Sequence, residues 1–163
     1  MDKTERYEKI IHNEVYITHI RKTEEYESDR PFGHHDMSHF LDVARVGMLI
    51  NLTENYGLQK DMIYAAALLH DVGRDVQYEF GTPHDEASVE LAREILKDTD
   101  YSPSECEEII EAIGNHRKAG IREEKSLSGL IYRADKESRP CYFCKAFDEC
   151  NWKSDKKNEH LVW

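Results

Sequence analysis

The chain has 163 residues, with 22 Lys and Arg against 33 Asp and Glu and a formal charge of −11. That is enough for one domain with one sizeable core, and too acidic for a general nucleic-acid or anionic-membrane surface, since both reward dispersed positive charge. An anionic substrate would have to be met by a few local cations. No stretch has the length of an apolar membrane span, and Met1-Asp2-Lys3-Thr4-Glu5-Arg6 is too charged for a secretory signal, so the expected location is cytoplasmic. Three of the four cysteines are bunched at Cys141, Cys144 and Cys150. In such a chain they are expected to be reduced or metal-bound, not a disulfide framework.

Residues 4–27 are rich in helix formers, with Ile10, Val15 and Ile17 among charges, and predict a flanking first helix that Arg30-Pro31-Phe32-Gly33 breaks. His34-His35-Asp36 leads into a second helix from Met37 to about Asn55, closed by Tyr56-Gly57. Within it His39, Val43, Val46 and Ile50 follow i, i+4, i+7, i+11, which puts His39 on the core-facing stripe. A third helix starts near Lys60 and is apolar from Met62 to Leu69. It runs straight into His70-Asp71, with Gly73 as its stop and a polar loop through Asp75 to Gly81 bordering a site.

Thr82 as cap and Pro83 in the first turn predict the next helix, to about Leu96, with His84, Ser88, Leu91 and Ile95 on one face. Ser102-Pro103-Ser104-Glu105 opens another, in which Ile109, Ile113 and His116 share a stripe. A last helix spans Ser126 to Ser138, with Leu127, Ile131 and Asp135 on one face, and Arg139-Pro140 closes it. No strands and no repeats are predicted. The expected fold is an all-α, compact bundle of about six helices in a single domain over 1–163: a flank at 4–27, a core at 36–139 and an irregular cysteine-containing tail at 140–163.

Six polar residues recur on, or at the end of, apolar stripes: His39, His70, Asp71, His84, His116 and Asp135. Any one of them alone is accounted for by a hydrogen-bonded core histidine or a capped carboxylate. Together they would be costly to bury without a cation, whereas one or two divalent ions would use neutral imidazoles and ionised carboxylates as ligands. The His70-Asp71 pair also ends a helix, where the backbone dipole favours positive charge.

The segments His39-Phe40-Leu41-Asp42-Val43-Ala44, Leu68-Leu69-His70-Asp71 and Arg133-Ala134-Asp135 resemble the ordered motifs of the HD-domain superfamily, over about Asp36 to Arg139. The two further histidines, in Pro83-His84-Asp85-Glu86-Ala87 and Asn115-His116-Arg117, look like those of members that hold two metals. Among these the chain is most similar to the bacterial group that symmetrically hydrolyses diadenosine tetraphosphate. The resemblance implies a helical phosphohydrolase with two divalent ions, iron or manganese, with magnesium, nickel or zinc as alternatives. Asp71 would bridge the ions, with His39, His70 and Asp135 on one and His84 and His116 on the other.

Negative charge would gather on the phosphoryl group of a phosphorylated substrate, a nucleotide in first place, so the basic residues beside the ligands, Arg74, Arg117, Lys118 and Arg139, are the candidate cations, and Asp71 and Arg74 are expected to be catalytic. No general nucleic-acid binding and no membrane partner are expected, and homodimerisation is left open. Two other readings stand beside this one. A di-iron oxygenase resembling inositol oxygenase uses the same ligand order, and a non-catalytic nucleotide-sensing module would keep the metal for structure. The tail Cys141-Tyr142-Phe143-Cys144, with Cys150 and Trp152, departs from the family pattern. Metal binding there would need a fourth ligand such as Cys106 or His160; otherwise the segment is expected to pack its aromatics across the mouth of the site.

Overall fold

The computed structural model describes residues 6–153 and 155–163, and among them every regular element is helical. The elements are α1 (Glu8–Ile11), α2 (Glu14–Tyr26), α3 (Met37–Thr53), α4 (Lys60–Leu69), α5 (Arg74–Phe80), α6 (His84–Leu96), α7 (Pro103–Asn115) and α8 (Leu127–Glu137), with single 3₁₀ turns at Ala119–Ile121 and Cys141–Phe143. No helix among the described residues is long and apolar enough to cross a membrane. The architecture is the expected all-α one, with the cysteine-containing region following α8.

α4 is the hub. Seven of its eight residues from Met62 to Leu69 are buried, Tyr64 being the exception, and the helix packs against α3, α7 and α8. Ala65, Ala66 and Ala67 are all fully buried, and their short side chains let neighbouring helices come close on several sides. Its C-terminus is closed by side chains: the Tyr16 hydroxyl donates to the Leu68 carbonyl at 3.0 Å, and His70 Nδ1 lies 2.7 Å from the Ala67 carbonyl. These are carbonyls that the helix itself leaves unpaired.

Several termini follow the sequence signals. Asp36 caps α3, accepting from the His39 amide at 3.1 Å; Ser102 and Glu105 form a capping box on α7; Ser126 caps α8. Four local expectations are corrected. The N-terminal flank is broken, because Asn13 takes extended backbone and its side chain accepts from Val15 and Tyr16 to start α2 afresh; residues 4 and 5 lie outside the described part. The HD helix ends at Leu69, so Gly73 does not stop it but precedes α5. The stretch expected as a loop from Asp75 to Gly81 is helix α5, ended by Gly81 at φ 78°. Thr82 stands one residue outside α6, whose N-cap position is Pro83.

A buried charge cluster fastens the residue before α1 to the core. The Arg6 guanidinium pairs with Asp61 of α4 and, at 2.6 Å, with Glu105 of α7, and it lies 4.2 Å over the Tyr101 ring. Arg6 and Asp61 are both buried, so removing one charge strands the other. The tail is tied to the end of α8 by Asn158, which donates to the Lys136 and Arg139 carbonyls at 2.8 and 2.7 Å. Two of its aromatics do not pack as expected, Phe143 being 88% exposed and Tyr142 43%, whereas Phe147 and Trp152 are half-buried. Asp61→Asn should destabilise the protein by about 3–5 kcal/mol in urea unfolding, because Arg6 would remain buried with half its partners.

Candidate metal centre

The ends of α4 and α7, the start of α6, and one position each on α3 and α8 converge at one place. His39, His70, Asp71 and Asp135 bring potential ligand atoms within 4.8 Å of one another, and so do Asp71, His84 and His116. Asp71 belongs to both groups, and its two oxygens face different ways. Oδ2 lies 3.1 Å from His70 Nε2, whereas Oδ1 lies 3.4 Å from both His84 Nε2 and His116 Nε2. Across the first group, Asp135 Oδ1 is 3.1 Å from His39 Nε2 and 3.5 Å from His70 Nε2.

The close approach that aligns these groups is made at Gly73. Its amide donates to Ser88 Oγ at 2.9 Å, and a Cβ there would stand 2.6 Å from the Ser88 nitrogen and 2.7 Å from the Ala87 carbonyl carbon. Only glycine lets the His70–Gly73 turn lie flat on α6, beside His84. The outer nitrogens of the imidazoles are committed elsewhere. His70 Nδ1 and His116 Nδ1 lie 2.7 and 2.6 Å from the carbonyls of Ala67 and Ile113, so both must be N–H donors, and His84 Nδ1 is 2.7 Å from Gln77 Oε1.

In the neutral imidazoles that leaves the Nε2 lone pairs pointing inward. His84 Nε2 and His116 Nε2 sit only 3.3 Å apart, beside Asp71 Oδ1. Two lone pairs and a carboxylate oxygen converging in a buried spot repel one another unless a cation joins them. His70 Nε2 and Asp71 Oδ1 are buried and have no hydrogen-bond partner, which in a folded protein calls for a missing ligand. The donor set of imidazoles and carboxylates therefore fits divalent metal at both groups.

The electrostatics agree. Burial lowers His84 to about 3, with Arg74 adding to the effect, so its ring is neutral and able to bind metal. Burial acts against ionisation of Asp71 and Asp135, yet Arg74 and His70 hold Asp71, and Lys136 and His39 hold Asp135, well below the usual carboxylate range. Burial also opposes charge on His70, but Asp71 and Asp135 outweigh it and raise that imidazole to about 10. Without metal, a proton on His70 takes the cation's place.

The expected basic residues are placed unequally. Arg74 points its Nε at Asp71 Oδ1, 3.4 Å away, and that nitrogen has no hydrogen-bond partner. Arg117 is half-exposed and pairs with Asp85 at 3.3 Å, Lys118 is exposed, and Arg139 donates to the His34 carbonyl at 3.1 Å. The sequence reading missed Lys136, which bonds Asp135 Oδ2 and the His116 carbonyl, both at 2.8 Å, and Gln77, which sits on the unexpected helix α5. Adjacency to Asp135 is the signal that could have found Lys136. None of the cysteines joins a potential metal-binding group among the described residues, so the alternative of metal at the cysteine run finds no support.

A helical bundle with paired His/Asp groups at helix ends defines the class. The family profile described as "HD domain" matches residues 37–139, and the chain belongs to that family. It is 44% identical over 159 residues to an uncharacterized protein of Clostridium beijerinckii, covering 98% of this chain and 99% of that one. Ribonuclease Y 1 of Pediococcus pentosaceus is 29% identical over 104 residues, 64% of this chain and 18% of that protein. A crystal structure described as a predicted HD superfamily hydrolase, from an uncultured Thermotogales bacterium, superposes with a TM-score of 0.64 at 25% identity, covering 88% of this chain and 79% of that one. The chain thus has an HD-superfamily hydrolase fold with His/Asp groups able to hold metal.

With His70 raised to about 10 by Asp71 and Asp135, a metal ion taken up at its Nε2 would displace a proton. Loading Mn²⁺ near about pH 7.5 should release about one proton per chain, read by calorimetry in buffers of different ionisation heat, and apparent affinity should rise with pH toward the raised His70 value. The sign for the metal-free protein is opposite: the His70 ion pair contributes stability in full below its unfolded pKa of about 6.5 and loses it as pH rises through about 10. Proton-free metal binding would contradict this picture.

Proposed function

We propose that this HD-domain protein is a metal-dependent phosphohydrolase that cleaves a phosphoester or phosphoanhydride of a nucleotide-like small molecule. The observation that carries the reading is the two-sided environment of Asp71, with Oδ2 beside His70 and Oδ1 beside His84 and His116. His39, His70 and Asp135 would hold one ion, His84 and His116 the other, and Asp71 would be common to both. Two ions so held would lower the pKa of a shared water and polarise the phosphoryl oxygen it attacks.

The protein's own residues supply the rest. The three Nδ1–H groups of His70, His84 and His116 fix the rings by donating outward, so that Nε2 of each is presented as ligand. Lys136 holds Asp135 and the His116 carbonyl together across the two groups. Arg74 presents a guanidinium at the edge of the cluster, its Nε 3.4 Å from Asp71 Oδ1 and without a hydrogen-bond partner. It is the expected cation best aimed at charge gathering on a phosphoryl group. The acidic surface disfavours general phosphate affinity, which supports a small substrate met at this spot over a polymer.

The hydrolase described for the Thermotogales structure, and the ribonuclease named among the relatives, are in keeping with phosphoester chemistry. The resemblance of the sequence motifs to those of enzymes acting on diadenosine tetraphosphate makes dinucleoside polyphosphates a first choice of substrate to test. The test is a panel of mononucleotides, cyclic nucleotides and dinucleoside polyphosphates with Mn²⁺, or with Fe²⁺ under anaerobic conditions. Asp71→Ala should abolish turnover. Arg74→Ala should keep its metal but lose about 2–4 kcal/mol of transition-state stabilisation, on the order of 10²–10³ in rate. Oxygen-dependent turnover with no phosphate or nucleotide product would move the assignment to the oxygenase reading.

A further inference from the structure

Glu27 and His35 lie outside the span 37–139 that matches the HD family, and none of the roles above uses them. Glu27 ends α2 with its side chain 1% exposed, a costly place for a carboxylate without partners. It has them: the His35 amide donates to Oε1 at 2.7 Å, and the Tyr78 hydroxyl donates to Oε2 at 2.6 Å. His35 Nδ1 lies 2.5 Å from Oε2. The amide bond alone would anchor the loop before α3. The bond to the ring does something else, since it sets which way the imidazole faces.

Burial resists ionisation of Glu27, but these hydrogen bonds hold it at about 2. An ionised carboxylate only accepts, so His35 Nδ1 carries the hydrogen, and in the neutral ring Nε2 keeps its lone pair. That Nε2 lies 3.8 Å from Asp71 Oδ2, the oxygen on the His70 side of the centre. The separation is too long for a direct hydrogen bond and puts two acceptors face to face. A water seated between them, donating one O–H to each, would satisfy both. His35 is absent from both groups of atoms close enough to share an ion, so the geometry makes it a neighbour of the centre and not a ligand.

We infer that Glu27 and His35 form a working pair of the site: Glu27 fixes the His35 ring, and His35 Nε2 accepts a hydrogen bond from the water or hydroxide held beside Asp71 Oδ2, orienting it for attack. The inference rests on the metal-hydrolase reading above. His35 touches the reacting oxygen, and Glu27 is a positioning residue that acts through it. Tyr78 reaches Glu27 from α5, so the same helix that supplies Arg74 and Gln77 also braces this pair.

The test combines three readouts on His35→Ala and Glu27→Gln in the full chain. Elemental analysis of Mn²⁺-loaded protein should find as many ions in both variants as in wild type. Imidazole ¹⁵N NMR, with and without Zn²⁺, should show His35 with Nδ1 protonated and Nε2 bare, a preference weakened in Glu27→Gln. Hydrolysis of bis(p-nitrophenyl) phosphate should fall about 10²-fold in kcat for His35→Ala and about 10–100-fold for Glu27→Gln, with KM moving less than about twofold. Loss of an ion in His35→Ala would make it a ligand and overturn the inference, as would a hydrogen on Nε2 or an unchanged kcat. If His35→Ala does not fold, the near-isosteric Glu27→Gln carries the test. If wild type hydrolyses nothing, the hydrolase reading fails separately, and the ion counts and tautomer still decide whether Glu27 aims a bare Nε2 at the centre.

Discussion

The structure depends on one buried carboxylate shared by two sets of imidazoles. Asp71 is 1% exposed, and each of its oxygens faces a different histidine group. A charge in that position has to be neutralised, and Arg74 at 3.4 Å with the His70 imidazolium does so in the absence of metal. The same arrangement makes the metal-free state poor, since it leaves Asp71 Oδ1 and His70 Nε2 without hydrogen-bond partners and two Nε2 atoms 3.3 Å apart. Stability and function thus meet at one residue.

The scaffold delivers the ligands largely through helix ends. His70 and His116 each occupy the C-cap position of a helix, and each sends Nδ1 back to the carbonyl three residues earlier. At α4 the side chain thereby satisfies a carbonyl the helix leaves unpaired, and in both cases the other nitrogen is presented to the interior. The dipoles of α4 and α7 put partial negative charge at the same spot, which favours a cation. Gly73 then lets the turn after His70 lie against α6, where a single methyl group would push the two halves of the centre apart.

Much of this was legible in the sequence because burial leaves a period. His39 lies on the stripe of Val43 and Ile50, and Asp135 on that of Leu127 and Ile131, so the sequence places both toward the core, where they are found close together. What stayed hidden is polar. α5 has no apolar stripe, and its buried residue is Asp75, held by His19 of α2 at 2.7 Å, so a reading based on hydrophobic spacing takes it for a loop. Glu27 and His35 escape for a similar reason: one ends a helix, the other precedes one, and their pairing crosses a loop that no periodicity describes. The cysteine run would have needed a fourth ligand to hold metal, and among the described residues no potential metal-binding group includes a cysteine.

The central claim is that Asp71 joins two metal positions, with His39, His70 and Asp135 at one and His84 and His116 at the other. Crystals grown with Mn²⁺ and measured at the manganese absorption edge test it most directly. The account predicts two anomalous peaks, one against each oxygen of Asp71. A single peak, or peaks that leave His84 and His116 unliganded, would contradict it.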